Sequence, residues 1–224
     1  MDKAHGADSV SIIRGGQLSP AQNGYIARVV KEADANVDAA EFYYTEFLKA
    51  LGIWGIMEDE PQQRTPARVV HAYLEFFGNN LEPINFTTFD VPECSRDSWD
   101  IVSVYDIQFA SLCAHHHLPF TGICHIGYLP CKSVAGLSKL PRVVEHLTHG
   151  ALIQEDVTRR IADYLHAALD CHGVVVVMEA EHSCLAHRGV RKPGHTARTI
   201  AVRGIFALPE GEARLQAFLG GISH

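Results

Sequence analysis

The chain has little that would place it in a membrane or on nucleic acid. No run approaches the ~20 consecutive apolar residues of a membrane-spanning helix. The opening MDKAHGADSVSIIRGGQLSP lacks the apolar stretch of a secretory signal, so a cytoplasmic location is the expectation. Basic residues are outnumbered, 19 Lys and Arg against 26 Asp and Glu, giving a formal net charge of -7. That balance argues against a nucleic-acid partner, which needs a basic face to displace counterions. A small anionic substrate is still allowed, because a local arginine cluster overrides the global sign. Several catalytic signatures are missing too. There is no G-x-x-x-x-G-K-[ST] phosphate loop, no H-E-x-x-H, no G-x-S-x-G and no H-x-E…P-C-x-x-C. No internal repeat or low-complexity segment is found.

Cysteine is present without any need for staples. Six occur, at 94, 113, 124, 131, 171 and 184. A chain of 224 residues, 47% hydrophobic, can build a core without disulfides, and a cytoplasm would keep its thiols reduced. Most are expected to be core thiols.

Residues 1 to about 22 read as mobile, being small, polar, Gly-containing and without periodicity. Residues 23–55 carry apolar positions at helical spacing, as one or two helices. RTPARVVHAYLEFFGN is a helix that Thr65 can cap, with Pro66 at its first position and Gly78-Asn79 at its end. Residues 80–100 show no pattern. Beyond them, IVSVYDIQFASLC is strand-like, and GICHIGYLPCKSVAGL is a strand or hairpin. SKLPRVVEHLTHG and QEDVTRRIADYLHAALDCHG are helices, the second ending at Gly173. VVVVMEAEHSC and TARTIAVRGIF begin or form strands, and EGEARLQAFLGGI is a short terminal helix. Strands in pairs with helices between them predict an α+β fold.

The chemistry concentrates in SLCAHHHLPF, residues 111–120. Thiolate and imidazole are the preferred ligands of zinc, whose catalytic sites use three protein ligands. Cys113 and His116 form a C-x-x-H pair that one tight turn can present to a single ion. EAEHSC supplies a third candidate, Cys184. If that stretch is a strand, Cys184 shares a face with His182. His115 and His182 would then be spare imidazoles suited to acid–base work. The spacing alone leaves two readings open: a metal site, or a buried thiol beside a solvated histidine loop. The four-ligand pattern of a structural zinc module is absent. HRGVRKPGHTAR carries Arg188, Arg191, Lys192 and Arg198, while Lys139 and Arg142 open a helix after GLS. Guanidinium groups suit phosphate, although a solvated charged loop has the same composition. Glu155 at the start of the next helix also suits the helix dipole.

In this order the segments CAHHHLPF, HIGYLP, GLSKLPR, QEDVT, EHSC and HRGVR resemble the GTP cyclohydrolase I family, which shows C-E-H-H-x-x-P-F, H-I-G-Y-x-P, G-L-S-K-x-x-R, Q-E-R-L-T, H-x-C and R-G. TPARVVHAY resembles that family's T-P-x-R-x-x-x-x-Y helix. The resemblance runs from about residue 37 to 208, which implies a partly mobile N-terminal extension at 1–36 and a catalytic domain at 37–224. It implies the tunnelling fold, an antiparallel sheet backed by helices and closed into a barrel by oligomerisation, with a homodecamer and interfacial active sites. It implies one Zn2+ per subunit on Cys113, His116 and Cys184. It further implies His115, His182 and Ser138 as catalytic residues. Glu155 would read the guanine N–H edge with Gln154 beside it, and Lys139, Arg142, Arg188 and Arg68 would bind the triphosphate. The activity implied is hydrolytic opening of the GTP imidazole ring, loss of C8 as formate and closure to 7,8-dihydroneopterin triphosphate.

Four departures stand out. Ala114 replaces the usual glutamate and removes a negative charge next to the metal. His117 occupies a position usually apolar, which permits a slipped set with His117 as ligand and His116 as acid. RKPGHTARTIAVRG replaces a Ser/Thr-rich stretch. Asp156 stands where arginine is usual, at an expected subunit contact. Two other functions share the fold: a diverged paralogue that takes another purine nucleotide or stops at a ring-opened product, and an inactive nucleotide-binding scaffold.

Overall fold

The computed structural model describes residues 35–54, 64–78, 84–90 and 100–222. The expected extension, residues 1–36, lies almost wholly outside them, as do Cys94 and the first part of the helical stretch at 23–55. The chain divides into two compact units, Met1–Leu81 and Glu82–His224.

The first unit contains helices α1 (Val37–Ala50) and α2 (Thr65–Gly78). Asn36 caps α1 by accepting the Ala39 N–H at 2.9 Å, a cap that offsets one orphan donor. In α2 the Arg68 N–H donates to the Arg64 carbonyl at 3.2 Å. Arg64 therefore holds the cap position expected of Thr65, and Thr65 and Pro66 both lie in the first turn. Proline is tolerated there because its missing N–H has no intrahelical partner anyway.

The second unit is built on a five-stranded sheet of order β5-β2-β3-β6-β7. Its strands are β2 (Val102–Cys113), β3 (Pro119–Leu129), β5 (Ala151–Leu152), β6 (Gly173–His182) and β7 (Thr196–Gly204). All pairings are antiparallel except β2 with β5. Strands β1 (Thr88–Asp90) and β4 (Ser133–Ala135) form a separate two-stranded ladder, so β4 leaves β3 instead of completing a hairpin with it. Helices α3 (Lys139–Thr148), α4 (Gln154–Leu169), α5 (Ser183–Ala186) and α6 (Glu212–Gly220) complete the unit. The fold is α+β, as the alternation of patterns predicts.

The run VVVV in β6 is buried on both faces of the sheet, which is why it does not alternate with polar residues. Val174 and Val176 join the main core with Val157, Ile161 and Leu165 of α4. Val175 and Val177 join a smaller core with Phe206, Phe218 and Ile222. Helix α4 ends at Leu169, earlier than the expected stop at Gly173. Asp170 takes the left-handed cap with φ 45°, a conformation aspartate tolerates. Gly173 instead opens β6, where an added Cβ would lie 2.9 Å from the Arg203 carbonyl oxygen. No helix among the described residues is long and apolar enough to cross a membrane.

Candidate metal centre and active site

Strand β2 delivers Cys113 to a tight turn. The Cys113 N–H donates to the Leu118 carbonyl at 2.8 Å, and the His117 N–H donates back to the Cys113 carbonyl at 2.8 Å. His117 takes a φ of 52°, which lets the chain reverse into β3. The Ala114 N–H donates to the Leu152 carbonyl at 2.9 Å, which ties the turn to β5. On the far side of β3, strand β6 ends at His182, whose backbone partner in the ladder is Phe120. Cys184 lies beyond the strand, in the helical turn α5. The same-face argument for His182 and Cys184 therefore does not apply; the α5 turn, not strand alternation, directs the thiol.

This path brings three donors together. One ligand atom each from Cys113, His116 and Cys184 lies within 4.8 Å of the others, the only such His/Cys/Asp/Glu group among the described residues. The two sulfurs are 4.0 Å apart. Tetrahedral bonds of about 2.3 Å from each thiolate to zinc put the sulfurs about 3.8 Å apart. Two thiols and an imidazole at this spacing fit zinc. The set includes His116, not His117, so the geometry favours the C-x-x-H register over the slipped one. Burial, then the neighbouring Cys113 sulfur, push the Cys184 thiol above its ordinary range, while the Arg188 charge opposes them. A metal ion would supply the compensating positive charge and displace the proton.

Two further imidazoles flank these donors. His115 is exposed, with Nδ1 3.8 Å from the Cys113 sulfur. His182 lies parallel to the Phe120 ring at 4.6 Å between centroids. Its Nε2 is 2.8 Å from Gln154 Oε1. Burial lowers the His182 pKa below the ordinary imidazole value, and the Glu155 charge works in the opposite direction. Glu155 is exposed in the first turn of α4, beside Gln154 at the helix start. The Gln154 side chain itself is 2% exposed and is hydrogen-bonded within the protein.

The remaining candidates are placed less tightly. Ser138 is exposed immediately before α3 and makes no side-chain capping bond; Lys139 and Arg142 follow in that helix's first turn. Arg188 is exposed in the loop after α5. Arg198 of the same basic stretch is committed to β6 through an ion pair with Glu179 at 3.0 Å. Arg68 is exposed on α2, in the first unit. Asp156 pairs within its own helix with Arg159 and, at 2.6 Å, with Arg160. Sequence reasoning passed over Phe120 and Thr199. Phe120 was legible only as the last letter of CAHHHLPF; its stacking on His182 depends on the β3–β6 register. Thr199 carried no signal at all.

Known proteins match across this region. The GTP cyclohydrolase I family profile matches residues 41–219. The GTP cyclohydrolase 1 of Leifsonia xyli subsp. xyli is 39% identical over 70% of this chain and 82% of its own length. The proteins of that name from Halalkalibacterium halodurans and Corynebacterium glutamicum strain R are 46% and 48% identical, over 66% and 63% of this chain and 78% and 72% of theirs. A solved structure, archaeosine synthase QueF-Like in the apo form, shows a loose likeness at a TM-score of 0.40 and 14% identity, over 47% of this chain and 94% of that one. The profile spans the metal-donor turn, the α4 start and the His182–Cys184 stretch together, and the chain belongs to the GTP cyclohydrolase I family.

Proposed function

We propose that the protein is a zinc-dependent GTP cyclohydrolase that converts GTP to 7,8-dihydroneopterin triphosphate and formate. The observation that carries this reading is the convergence of Cys113, His116 and Cys184 within 4.8 Å, in a chain of this family. Zinc held by these three residues would supply a Lewis acid and lower the pKa of water near the substrate.

The chain's own groups have distinct tasks. Glu155 receives the guanine N–H edge at the exposed start of α4. His115 gives a proton to N7 as water adds at C8, which opens the imidazole ring to a formamide, and a second water then cleaves the formamide so that C8 leaves as formate. His182 moves a second proton; burial disfavours its charged form and so favours the neutral imidazole that can accept one, against the opposing Glu155 charge. Ser138 serves the ribose rearrangement that precedes ring closure. Lys139, Arg142, Arg188 and Arg68 hold the triphosphate by charge-assisted hydrogen bonds. The working form is a homo-oligomer, the decamer of the family, in which the unpaired stretches of β2 and β7 join neighbouring copies and lose their exposed edges. A reducing cytoplasm suits the free thiols.

The test is incubation of the purified, metal-analysed protein with GTP, following formate and the oxidised neopterin fluorophore together. Both products, lost in His115→Ala, are expected. Formate without neopterin would move the function to a ring-opening enzyme, and Ala114 would be the first residue to restore to glutamate. Neither product, with one zinc per chain, overturns the GTP assignment.

A further inference from the structure

The Gln154 carboxamide is buried and uses both of its polar atoms. Its Nε2 lies 3.2 Å from the Met178 carbonyl oxygen, 2.9 Å from the Ala197 carbonyl oxygen and 3.1 Å from Thr199 Oγ1. The two carbonyls belong to the adjacent strands β6 and β7. Carbonyl oxygens only accept, so the amide nitrogen must face them. The hydroxyls agree with this direction. Thr158 Oγ1 donates to the Gln154 backbone carbonyl at 2.8 Å. Thr199 Oγ1, 2.6 Å from Thr158 Oγ1, then donates to it and accepts from the Gln154 amide. The amide has two N–H donors for three acceptors, so one proton is shared, but the direction of every bond is set.

Oε1 is thereby turned to His182, 2.8 Å from Nε2. An amide oxygen also only accepts, so the proton of this bond sits on His182 Nε2. A neutral imidazole protonated there keeps its lone pair on Nδ1. The parallel Phe120 ring holds the plane of the imidazole while Gln154 holds its rotation about that plane. We propose that Gln154 is a positioning residue that sets the tautomer of His182, making Nδ1 its proton-accepting atom, and that the Gln154 amide does not bind substrate. The activity part of this inference rests on the cyclohydrolase reading; the tautomer does not.

Magic-angle-spinning 15N NMR of full-length, zinc-loaded protein labelled in histidine tests it, with His182 assigned from the His182→Asn difference spectrum. The wild type is expected to show a protonated Nε2 and an unprotonated Nδ1. Gln154→Leu is expected to give a mixed or inverted tautomer. Its kcat for GTP should fall about 10- to 100-fold, within the lower range of acid–base contributions, with KM held within about twofold. If Gln154→Leu does not fold, the wild-type spectrum carries the test: a protonated Nε2 with an unprotonated Nδ1 supports the proposal, and the opposite tautomer overturns it. An unchanged His182 spectrum in Gln154→Leu, or a raised KM with kcat preserved, also overturns it. If the wild type proves inactive on GTP, the cyclohydrolase reading fails while the spectra still decide the tautomer.

Discussion

Replacing Cys184 by serine keeps the size of the side chain but removes the sulfur donor facing Cys113 at 4.0 Å. The variant is expected to lose its zinc in elemental analysis and at least about 100-fold in cyclohydrolase activity, since metal and activity would fail together. His115→Ala should divide the two: zinc stays near one per chain while formate release falls about 100-fold or more. At this scale the candidate ligands were readable because their residue types are chemically restricted, and Cys113, His116 and Cys184 meet in space as a group that could hold a metal. Gln154 was readable as a substrate-binding candidate beside Glu155, not as a partner of His182. Its partners are two backbone carbonyls and a threonine on β6 and β7, and nothing in its local sequence encodes them. A side chain whose role is defined by backbone acceptors 24 and 43 positions away is visible only after the strands have paired.

Between elements, single polar contacts hold the segments that carry the candidate residues. Tyr128 is fully buried on β3 and its hydroxyl oxygen accepts the Ala135 N–H at 3.0 Å. Ala135 ends β4, three residues before Ser138. Tyr128→Phe strands a buried N–H, which costs about 1–3 kcal/mol. The expected outcome is a lower denaturant midpoint and faster amide exchange at Ala135. Helix α4 is tied to β7 by Arg203 donating to Asp163 at 2.6 Å. That bond, ahead of the residual effect of burial, holds the Asp163 carboxyl below its ordinary value of 3.8. A depressed folded pKa stabilises above the unfolded value and is lost as pH falls through the folded one. Asp163→Asn should therefore lower stability at pH 7 by less than about 1 kcal/mol for so exposed a pair, seen as a slightly lower Tm, and converge on the wild type as pH falls below the carboxyl's folded pKa. The elements themselves were legible where periodicity was strong, as in α4 with Val157, Ile161 and Leu165 on one buried face. The ends were less so: Gly173 looked like a helix stop, but Asp170 had already supplied the turn, and the glycine was needed for the close approach of Arg203.

Over the whole molecule, the three donors come from the end of β2, the turn after it and the turn after β6, so a bound ion cross-links segments more than seventy residues apart in the chain. Removing zinc with a chelator is expected to lower Tm, and titrating it back should raise Tm with free zinc concentration as mass action requires. The α+β architecture could be read from the alternation of strand and helix patterns, but the strand order could not, because β4 leaves β3 to pair with β1 and β5 inserts beside β2.

Strands β2 and β6 are separated by β3, and neighbouring strands stand about 4.8 Å apart. The thiol of Cys113, which ends β2, and that of Cys184, in the turn after β6, come within 4.0 Å across the start of β3, where Pro119 pairs with Leu112 and Phe120 with His182. A slip of β3 by one residue would turn every one of its side chains to the opposite face. Phe120 would leave His182, and the donor turn would be displaced against Cys184. Metal uptake by Cys113, His116 and Cys184 would thus report the register of β3: a chain whose strands have paired out of step would not bring the three donors together.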